Sequence, residues 1–234
     1  MEPEIQKLDV EFVNKIVRME QQMRIVITGG PSSEPIDRVR VITNQSTGEL
    51  AVKLARRLAA ARHSIELFLG AGAIFRSDSA KYFRTNDDLH RLLRDVVERH
   101  KIKAVFHAAA LSDFGVEKLA IPGGTPSAGK ISSDAESIQL RLVPKPKLIL
   151  QLRDLFPNAY IVGWKFELDG APGSVVLKGI GQIQLNRTDA CVVNGEAFGP
   201  GFGFCTEKGL VHTAATKDEL ANWLVEMLEQ QLQL

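Results

Sequence analysis

Apolar positions along this chain keep two rhythms, and each rhythm marks an element. Residues 4–21 set Ile5, Leu8, Phe12, Ile16 and Met19 at helical spacing, which predicts an amphipathic helix ahead of the main body. That helix is expected to pack on the body or on a second subunit. The apolar run RIVIT (24–28) predicts the first strand. After a glycine loop, a helix presents Leu50, Leu54 and Leu58 on one face. SIELFLG (64–70) reads as a strand, DDLHRLLRDVVERH (87–100) as a helix and KAVFHAAA (103–110) as a buried strand. The alternation β-α-β-α-β is that of a parallel sheet covered by helices.

The second half is less regular. Residues 111–136 read as a long loop of the kind that often serves as a lid or binding segment. SIQLRLV (137–143) alternates, with Ile138, Leu140 and Leu142 on one face, so a half-exposed strand is expected. A helix follows VPKPK, then the strand AYIVGWKFE (159–167). Residues 170–188 are glycine-interrupted and only weakly helical in composition. ACVVN reads as a buried strand, and GFGFCTEKGLVHT as a hairpin turning at Glu207–Gly209. The last helix opens with a capping box, Thr216 to Glu219, and carries Leu220, Trp223, Leu224, Met227 and Leu228 inward. The expected fold is α/β and Rossmann-like. A mostly parallel sheet would be flanked by helices, with a C-terminal hairpin and an extra N-terminal helix. Residues 1–22 would form the extension and 23–234 a single domain.

Composition narrows the setting. The chain has 234 residues and a formal net charge of +1, so no global field favours nucleic acid or an acidic membrane, and neither is expected as a partner. No run reaches the roughly 18 apolar residues of a membrane span. The charged N-terminus is unlike a signal peptide. Cys191 and Cys205 lie outside any C-x-x-C pair, and no His/Cys cluster has zinc spacing. A reduced, cytoplasmic protein is the expectation.

Candidate chemistry gathers in VITGGPSSEPIDRVRVITNQSTGEL, residues 26–50. A strand, a glycine turn and a helix start make a generic anion site, because backbone N–H groups and the helix dipole favour phosphate. Gly29 and Gly30 do not complete a G-x-G-x-x-G, and no G-x-x-x-x-G-K-S/T loop is present. A reading without ligand is equally open: Ser46 to Glu49 has capping-box spacing, and the glycines can serve a tight turn alone. Arg38 and Arg40 suit bidentate recognition of phosphate or carboxylate. For Arg38 an ion pair with Glu34 or Asp37 is preferred.

Further along, AAALSDF (108–114), GWKFE (163–167) and VVN (192–194) end strands in polar groups, where open α/β sheets bind ligands. Lys130 is able to neutralise a phosphate or simply to sit in solvent. Asp37, Asp113 and Glu167 are candidates to help hold Mg2+, which typically takes one or two protein carboxylates. No nucleophile stands out: there is no G-x-S-x-G, and neither cysteine has a matched histidine nearby in sequence. His107, in an apolar strand, reads as a satisfied core histidine, and His212 is expected to face solvent. Residues alone give an α/β domain that binds a phosphorylated ligand.

In order along the chain, the motifs resemble the phosphopantothenoylcysteine synthetase family, the phosphopantothenate–cysteine ligases of coenzyme A biosynthesis. The family block E-P-I/L-D-x-V-R-x-I/L-S/T-N-x-S-S/T-G is matched within GGPSSEPIDRVRVITNQSTG. AAALSDF, KISS with LRLVPKPKLIL, VGWKFE, VVN and GFGF match later blocks in order, from about Met23 to the C-terminal helix. The resemblance implies a stand-alone homodimeric ligase joining 4′-phosphopantothenate to L-cysteine with CTP or ATP and Mg2+. The substrate carboxylate would attack the nucleotide α-phosphate and release pyrophosphate. The cysteine amine would then attack the acyl-nucleotide and release the monophosphate. The flavin-dependent decarboxylase domain fused to many bacterial members has no counterpart in these motifs, so no flavin is expected.

The resemblance also assigns residues. Gly29 and Gly30 would border the nucleotide phosphates. Arg40, Ser46, Thr47 and Gly48 would grip the substrate phosphate, and Asn44 would orient the acyl carbonyl. Ala110, Asp113, Lys130 and Gly163 would line the nucleotide pocket, with Asn194 near the ribose or base and Phe202 against the base. The α-phosphate lysine falls at Lys178 counting forward from Glu167, and at Gln182 or Asn186 counting back from Asn194. Lys165 is a possible substitute from its strand. The metal ligands are not identified.

Glu49 stands where the family often has lysine or arginine, an unfavourable charge beside a bound phosphate unless it points outward. Two other readings stay open. One is a nucleotide-binding paralogue without ligase activity. The other is a pyridine-nucleotide oxidoreductase, disfavoured because G-x-G-x-x-G and a Tyr-x-x-x-Lys pair are both lacking.

Overall fold

A computed structural model describes residues 22–120, 129–131 and 137–232. Its strands, in chain order, are β1 (Arg24–Gly29), β2 (Ser33–Pro35), β3 (Val41–Thr43), β4 (Ser64–Gly70), β5 (Ala80–Phe83) and β6 (Ile102–His107). They continue with β7 (Phe114–Ala120), β8 (Gln139–Pro144), β9 (Tyr160–Phe166), β10 (Ala190–Asn194), β11 (Phe202–Thr206) and β12 (Gly209–Ala214). The helices are α1 (Glu49–Ala60), α2 (Asn86–Arg94), α3 (Leu152–Leu155), α4 (Pro172–Asn186) and α5 (Lys217–Leu232).

The main sheet has the order β12-β11-β10-β9-β6-β1-β4-β5. From β5 to β10 every neighbour is parallel, and the β11–β12 hairpin joins antiparallel. Numbered along the chain, the parallel strands run 3-2-1-4-5-6, the doubly wound order of Rossmann-like folds. The order reverses between β1 and β6, and ligands in such sheets sit outside the strand ends at that reversal.

Strand periodicity of two divides the core. Ile25, Ile27, Leu67, Leu69, Ala104, Phe106, Val162 and Val192 face the helix pair α1 and α5, which contribute Leu54, Leu58, Leu220, Leu224 and Leu228. Val26, Phe68, Val105 and Ile161 face the other way, against Leu89 and Leu93 of α2 and Leu152 of α3. Cys191, Val193 and Cys205 pack under Val175 and Ile183 of α4. Full burial of each such leucine or phenylalanine contributes about 1.5–3 kcal/mol. Parallel strands buried on both faces require continuous apolar runs, which is why these segments read as they do.

The structure departs from the sequence expectations in several places. Part of the expected loop 111–136 is the strand β7, paired antiparallel with β8. A register shift between Val116 and Lys118 breaks its alternation, so the strand is specified by its partner rather than by its own pattern. Residues 121–128 and 132–136 of that expected loop, and the helix expected over 4–21, lie outside the described residues. The helix expected over 87–100 stops at Arg94. Val96 turns into the core, Glu98 takes a left-handed conformation, and a short 3-10 turn, Arg99–Lys101, follows. The weakly helical stretch is a continuous fifteen-residue helix, α4, with proline at its start and Gly179 buried against the sheet. The Ser46–Glu49 capping box does not form: Gly48 is the N-cap, with no side-chain cap hydrogen bond. His212 stacks on Trp223 at 4.3 Å with the rings 2° from parallel, rather than pointing freely to solvent. At α5 the expected cap is present. Thr216 Oγ1 accepts from the Glu219 N–H at 3.1 Å, while Glu219 reaches the Ala215 N–H at 2.8 Å.

Candidate functional site

The sheet reversal is where the glycine loop meets the end of β6. The Ala110 N–H donates to the Gly30 carbonyl at 2.9 Å, the Ser32 N–H donates to the Ala110 carbonyl at 3.2 Å, and Pro31 bridges to Ala110. Gly30 has φ +74° and Gly48 has φ +75°, a region where side chains are strained. The two glycines also abut: a Cβ on Gly48 would lie 3.7 Å from the Gly30 backbone and 2.9 Å from the Ala73 methyl. Gly29 packs on Ala51, so α1 starts directly above the loop. The start of a twelve-residue helix, capped by bare backbone, therefore opens at the sheet's switch point. That is the geometry for an anion.

Asn44 reaches across this junction. Its Nδ2 donates to the Leu111 carbonyl at 2.9 Å, with the Ala110 carbonyl at 3.5 Å. Thr43, beside it, donates its hydroxyl to the Ser32 carbonyl at 2.7 Å. Ser46 and Thr47 are half-buried before Gly48, and the Glu49 N–H donates to Thr47 Oγ1 at 3.3 Å.

Arg40 is engaged. It lies 2.5 Å from Asp37 Oδ2 and donates to the Ile131 carbonyl at 3.3 Å. Burial pushes the Asp37 carboxyl up. The N–H groups of Val39, Ile131 and Arg40 and the guanidinium outweigh that and hold it well below the carboxylate range. The ion pair expected of Arg38 thus belongs to Arg40, while Arg38 donates its backbone N–H to Gly129 at 3.4 Å. Lys130 is exposed next to Ile131. Asp113 is exposed, with Lys147 at 3.8 Å.

On the far rim, Glu167 lies between Lys178 of α4 and Lys165 of β9, with Lys165 at 2.9 Å. Lys178, then Lys165, hold the Glu167 carboxyl below its ordinary range. The two lysines weighed from sequence therefore converge on one carboxylate. Gln182, the alternative position, packs against Gly163 and donates to Cys191 Sγ at 3.5 Å; Asn186 is buried. Gly163 thus faces α4 and Ile149. Asn194, half-buried at the end of β10, accepts the Glu167 N–H on its backbone carbonyl at 2.9 Å. Phe202 begins β11 and packs partly on the α1/α5 core face.

The carboxylates do not fit a protein-built Mg2+ site. Asp37 and Glu167 are taken by cations and N–H groups, and among the described residues no three His, Cys, Asp or Glu gather around a common point. His107 is a core residue as expected: its Nδ1 sits 2.8 Å from Thr28 Oγ1, and burial lowers its pKa to about 4.

Sequence reasoning missed a buried polar joint beside the switch point. Ser32 Oγ accepts from the Ser112 N–H at 2.9 Å, and Asn86 Nδ2 donates to the Ser112 carbonyl at 2.8 Å. The Asn86 N–H donates to Glu34 Oε1 at 3.3 Å, and Lys145 pairs with Glu34 at 3.4 Å and Asp87 at 2.9 Å. One signal was available: Thr85 and Asp88 have capping-box spacing, which fixes Asn86 as the first helical residue.

Comparison with known proteins agrees with this architecture. Residues 20–230 match the DNA/pantothenate metabolism flavoprotein C-terminal domain family. The coenzyme A biosynthesis bifunctional protein CoaBC of Methanocaldococcus jannaschii is 31% identical over 147 residues, covering 62% of this chain and 33% of that protein. The CoaBC protein of Thermococcus kodakarensis is 28% identical over 179 residues, covering 75% of this chain and 42% of that protein. The chain thus spans less than half the length of these relatives.

Among solved structures, the DNA/pantothenate metabolism flavoprotein of Streptococcus pneumoniae superposes with TM-score 0.78 at 24% identity, covering 89% of this chain and 99% of that one. A Cab2 variant in complex with phosphopantothenate-cysteine gives TM-score 0.65 at 17% identity, covering 97% and 93%. At these identities the superpositions speak for the fold. Matched over nearly its whole length, the chain belongs to the DNA/pantothenate metabolism flavoprotein C-terminal domain family.

Proposed function

We propose that this protein is a nucleotide-dependent ligase of coenzyme A biosynthesis, joining 4′-phosphopantothenate to L-cysteine through an acyl-nucleotide. One observation carries the reading: the Gly30 turn, the bare start of α1 and the Asn44 carboxamide converge at the sheet's switch point. The names of the CoaBC relatives and the product bound in the Cab2 structure support it.

In this reading the start of α1, with Ser46, Thr47 and Gly48, receives the substrate phosphate. Gly29, Gly30 and Ala110 border the nucleotide phosphates, and Asp113, Lys130, Gly163, Asn194 and Phe202 surround the rest of the nucleotide. The pantothenate carboxylate attacks the α-phosphate and pyrophosphate leaves. Asn44 Nδ2 is anchored at Leu111 at 2.9 Å and only loosely held by Ala110 at 3.5 Å, so one of its hydrogens donates to the acyl carbonyl as the cysteine amine attacks. Lys178 serves the α-phosphate once it leaves Glu167. Mg2+ arrives with the nucleotide as part of that substrate. The working form is a cytoplasmic homodimer. Val41, Phe114 and Leu142 on the two ribbons are exposed apolar surface for a second copy.

A second reading, a nucleotide-binding relative without ligase activity, is favoured by one feature: Arg40 and Lys178 are both ion-paired within the chain. Pyrophosphate release separates the two. The purified protein is given 4′-phosphopantothenate, Mg2+ and either CTP or ATP, with and without cysteine. Release with one nucleotide, and amide only with cysteine, supports the ligase and names its nucleotide. Nucleotide binding without release from either supports the second reading.

A further inference from the structure

We propose that Asn86 is a positioning residue for the reaction, acting through Ser112 on the carboxamide of Asn44; this rests on the ligase reading above. Asn44 leans on the carbonyls of Ala110 and Leu111. Those carbonyls sit in a segment with no regular structure of its own, between the end of β6 and the start of β7. Ala110 is tied by backbone hydrogen bonds to Gly30 and Ser32, and beyond it the segment is fixed at Ser112, held at both of its peptide groups. Its N–H donates to Ser32 Oγ at 2.9 Å, and its carbonyl accepts from Asn86 Nδ2 at 2.8 Å.

All three residues are sealed from water: Ser32 is 0% exposed, Ser112 5% and Asn86 6%. A buried hydrogen bond between two loops from distant parts of the chain fixes direction as well as distance. Asn86 is itself fixed. It opens α2 under the Thr85–Asp88 capping box, and its own N–H donates to Glu34 Oε1 at 3.3 Å.

The orientation of the Asn86 amide follows from chemistry. Only its NH2 can face the Ser112 carbonyl, which leaves Oδ1 turned away, buried and unpartnered among the described residues. Among the described residues the Ser112 hydroxyl is also buried without a partner. Satisfaction of two side-chain atoms is forgone at one joint while the bond to the Ser112 carbonyl is kept. A leucine at 86 would remove the Oδ1 deficit but would leave the buried Ser112 carbonyl without its donor. The role that requires an asparagine is holding that carbonyl, and through it the Leu111 carbonyl one residue away.

The test is Asn86→Ala, with Asn86→Asp as an isosteric second variant that places an acceptor against the carbonyl. Steady-state kinetics are run with the nucleotide that the wild type uses. Both variants should lose about 10- to 100-fold in kcat, as for a misplaced catalytic group. KM for phosphopantothenate should stay within about 2-fold, because the start of α1 that receives its phosphate is untouched. A second readout needs no activity. The side-chain NH2 resonances of Asn44, assigned by their loss in Asn44→Ala, should shift in both Asn86 variants. An unchanged kcat, a phosphopantothenate KM that rises as kcat falls, or Asn44 resonances at their wild-type positions in a folded variant overturns the proposal. Wild-type protein without ligase activity sinks the ligase reading, and the Asn44 resonances then still decide whether the two side chains are coupled.

Discussion

Glu49 and Lys217 form an ion pair at 2.6 Å that ties the first turn of α1 to the first turn of α5. Lys53 approaches the same carboxylate at 2.8 Å. The hydrogen bonds from Lys217 and then Lys53 hold the Glu49 carboxyl below its ordinary range. A negative charge one residue past the N-cap is thereby turned from the helix mouth into the α1–α5 seam, and its conflict with a bound phosphate is muted. Replacing Glu49 by Gln takes the counter-charge from Lys217 beside the mouth, while Lys53 keeps Asp218. KM for phosphopantothenate should then fall about 2- to 5-fold, the size of a charge–dipole effect of 0.3–1 kcal/mol. Thermal stability should drop by up to about 1 kcal/mol. A titration of substrate at fixed nucleotide and a melting curve read both.

Asn44→Ala should uncouple the two half-reactions. The anion site at Gly30 and Gly48 is backbone, so nucleotide affinity should stay within about 2-fold. Amide formation should fall by about 100-fold or more, as when a donor to a developing oxyanion is removed. Equilibrium dialysis with labelled nucleotide and product detection by mass spectrometry separate the two. Equal loss in both would make Asn44 a structural residue.

His107 predicts an acid-sensitive fold. Its folded pKa is about 4 against 6.5 for a free histidine, because burial disfavours the cation. The unfolded chain therefore binds the proton first, and stability, full above pH 6.5, declines as pH falls towards 4. The contribution is on the order of 3 kcal/mol over that window. His107→Gln, which keeps a partner for Thr28, should flatten the fall of melting temperature between those pH values. An unaltered pH profile in the variant would refute this.

Cys191 and Cys205 stand opposite each other on β10 and β11, both fully buried. Burial raises the Cys191 thiol to about 12 and the Cys205 thiol to about 11. The thiolate is the reactive form, so the native protein should release no chromophore from an aromatic disulfide reagent at pH 8. In urea both thiols should titrate. Reaction of either in the native state would mean that the β10–β11 edge opens readily.

The parts of this fold that could be read from sequence are those whose own residues decide them. RIVIT and the second half of SIELFLG are buried, and their apolar runs match β1 and β4. The terminal helix announced itself through Thr216 and a regular apolar stripe, and Leu220, Leu224 and Leu228 are fully buried. β7 could not be read, because its pairing with β8 supplies the order that its broken alternation lacks. The glycine loop and Asn44 were legible as a cluster, being close in sequence. The joint of Ser32, Asn86 and Ser112 was not, since three single polar residues far apart in the chain carry no pattern until the sheet brings them together. Ion pairs were the hardest to assign: Arg38 and Arg40 are equally placed in sequence, and only the turn at Asp37 selects Arg40.

The seam between α1 and α5 bears on how the protein is made. Glu49 and Lys217 are 168 residues apart, and Asp218 in turn pairs with Lys53 and Arg57 of α1. Synthesis runs from N to C, so the glycine loop and α1 leave the ribosome well before the helix that covers α1 and turns Glu49 aside. Until then α1 lacks its cover, and a charge competes with phosphate at the mouth of the binding site. Maturation of the pocket therefore waits for α5, although the glycine loop and α1 are made well before it.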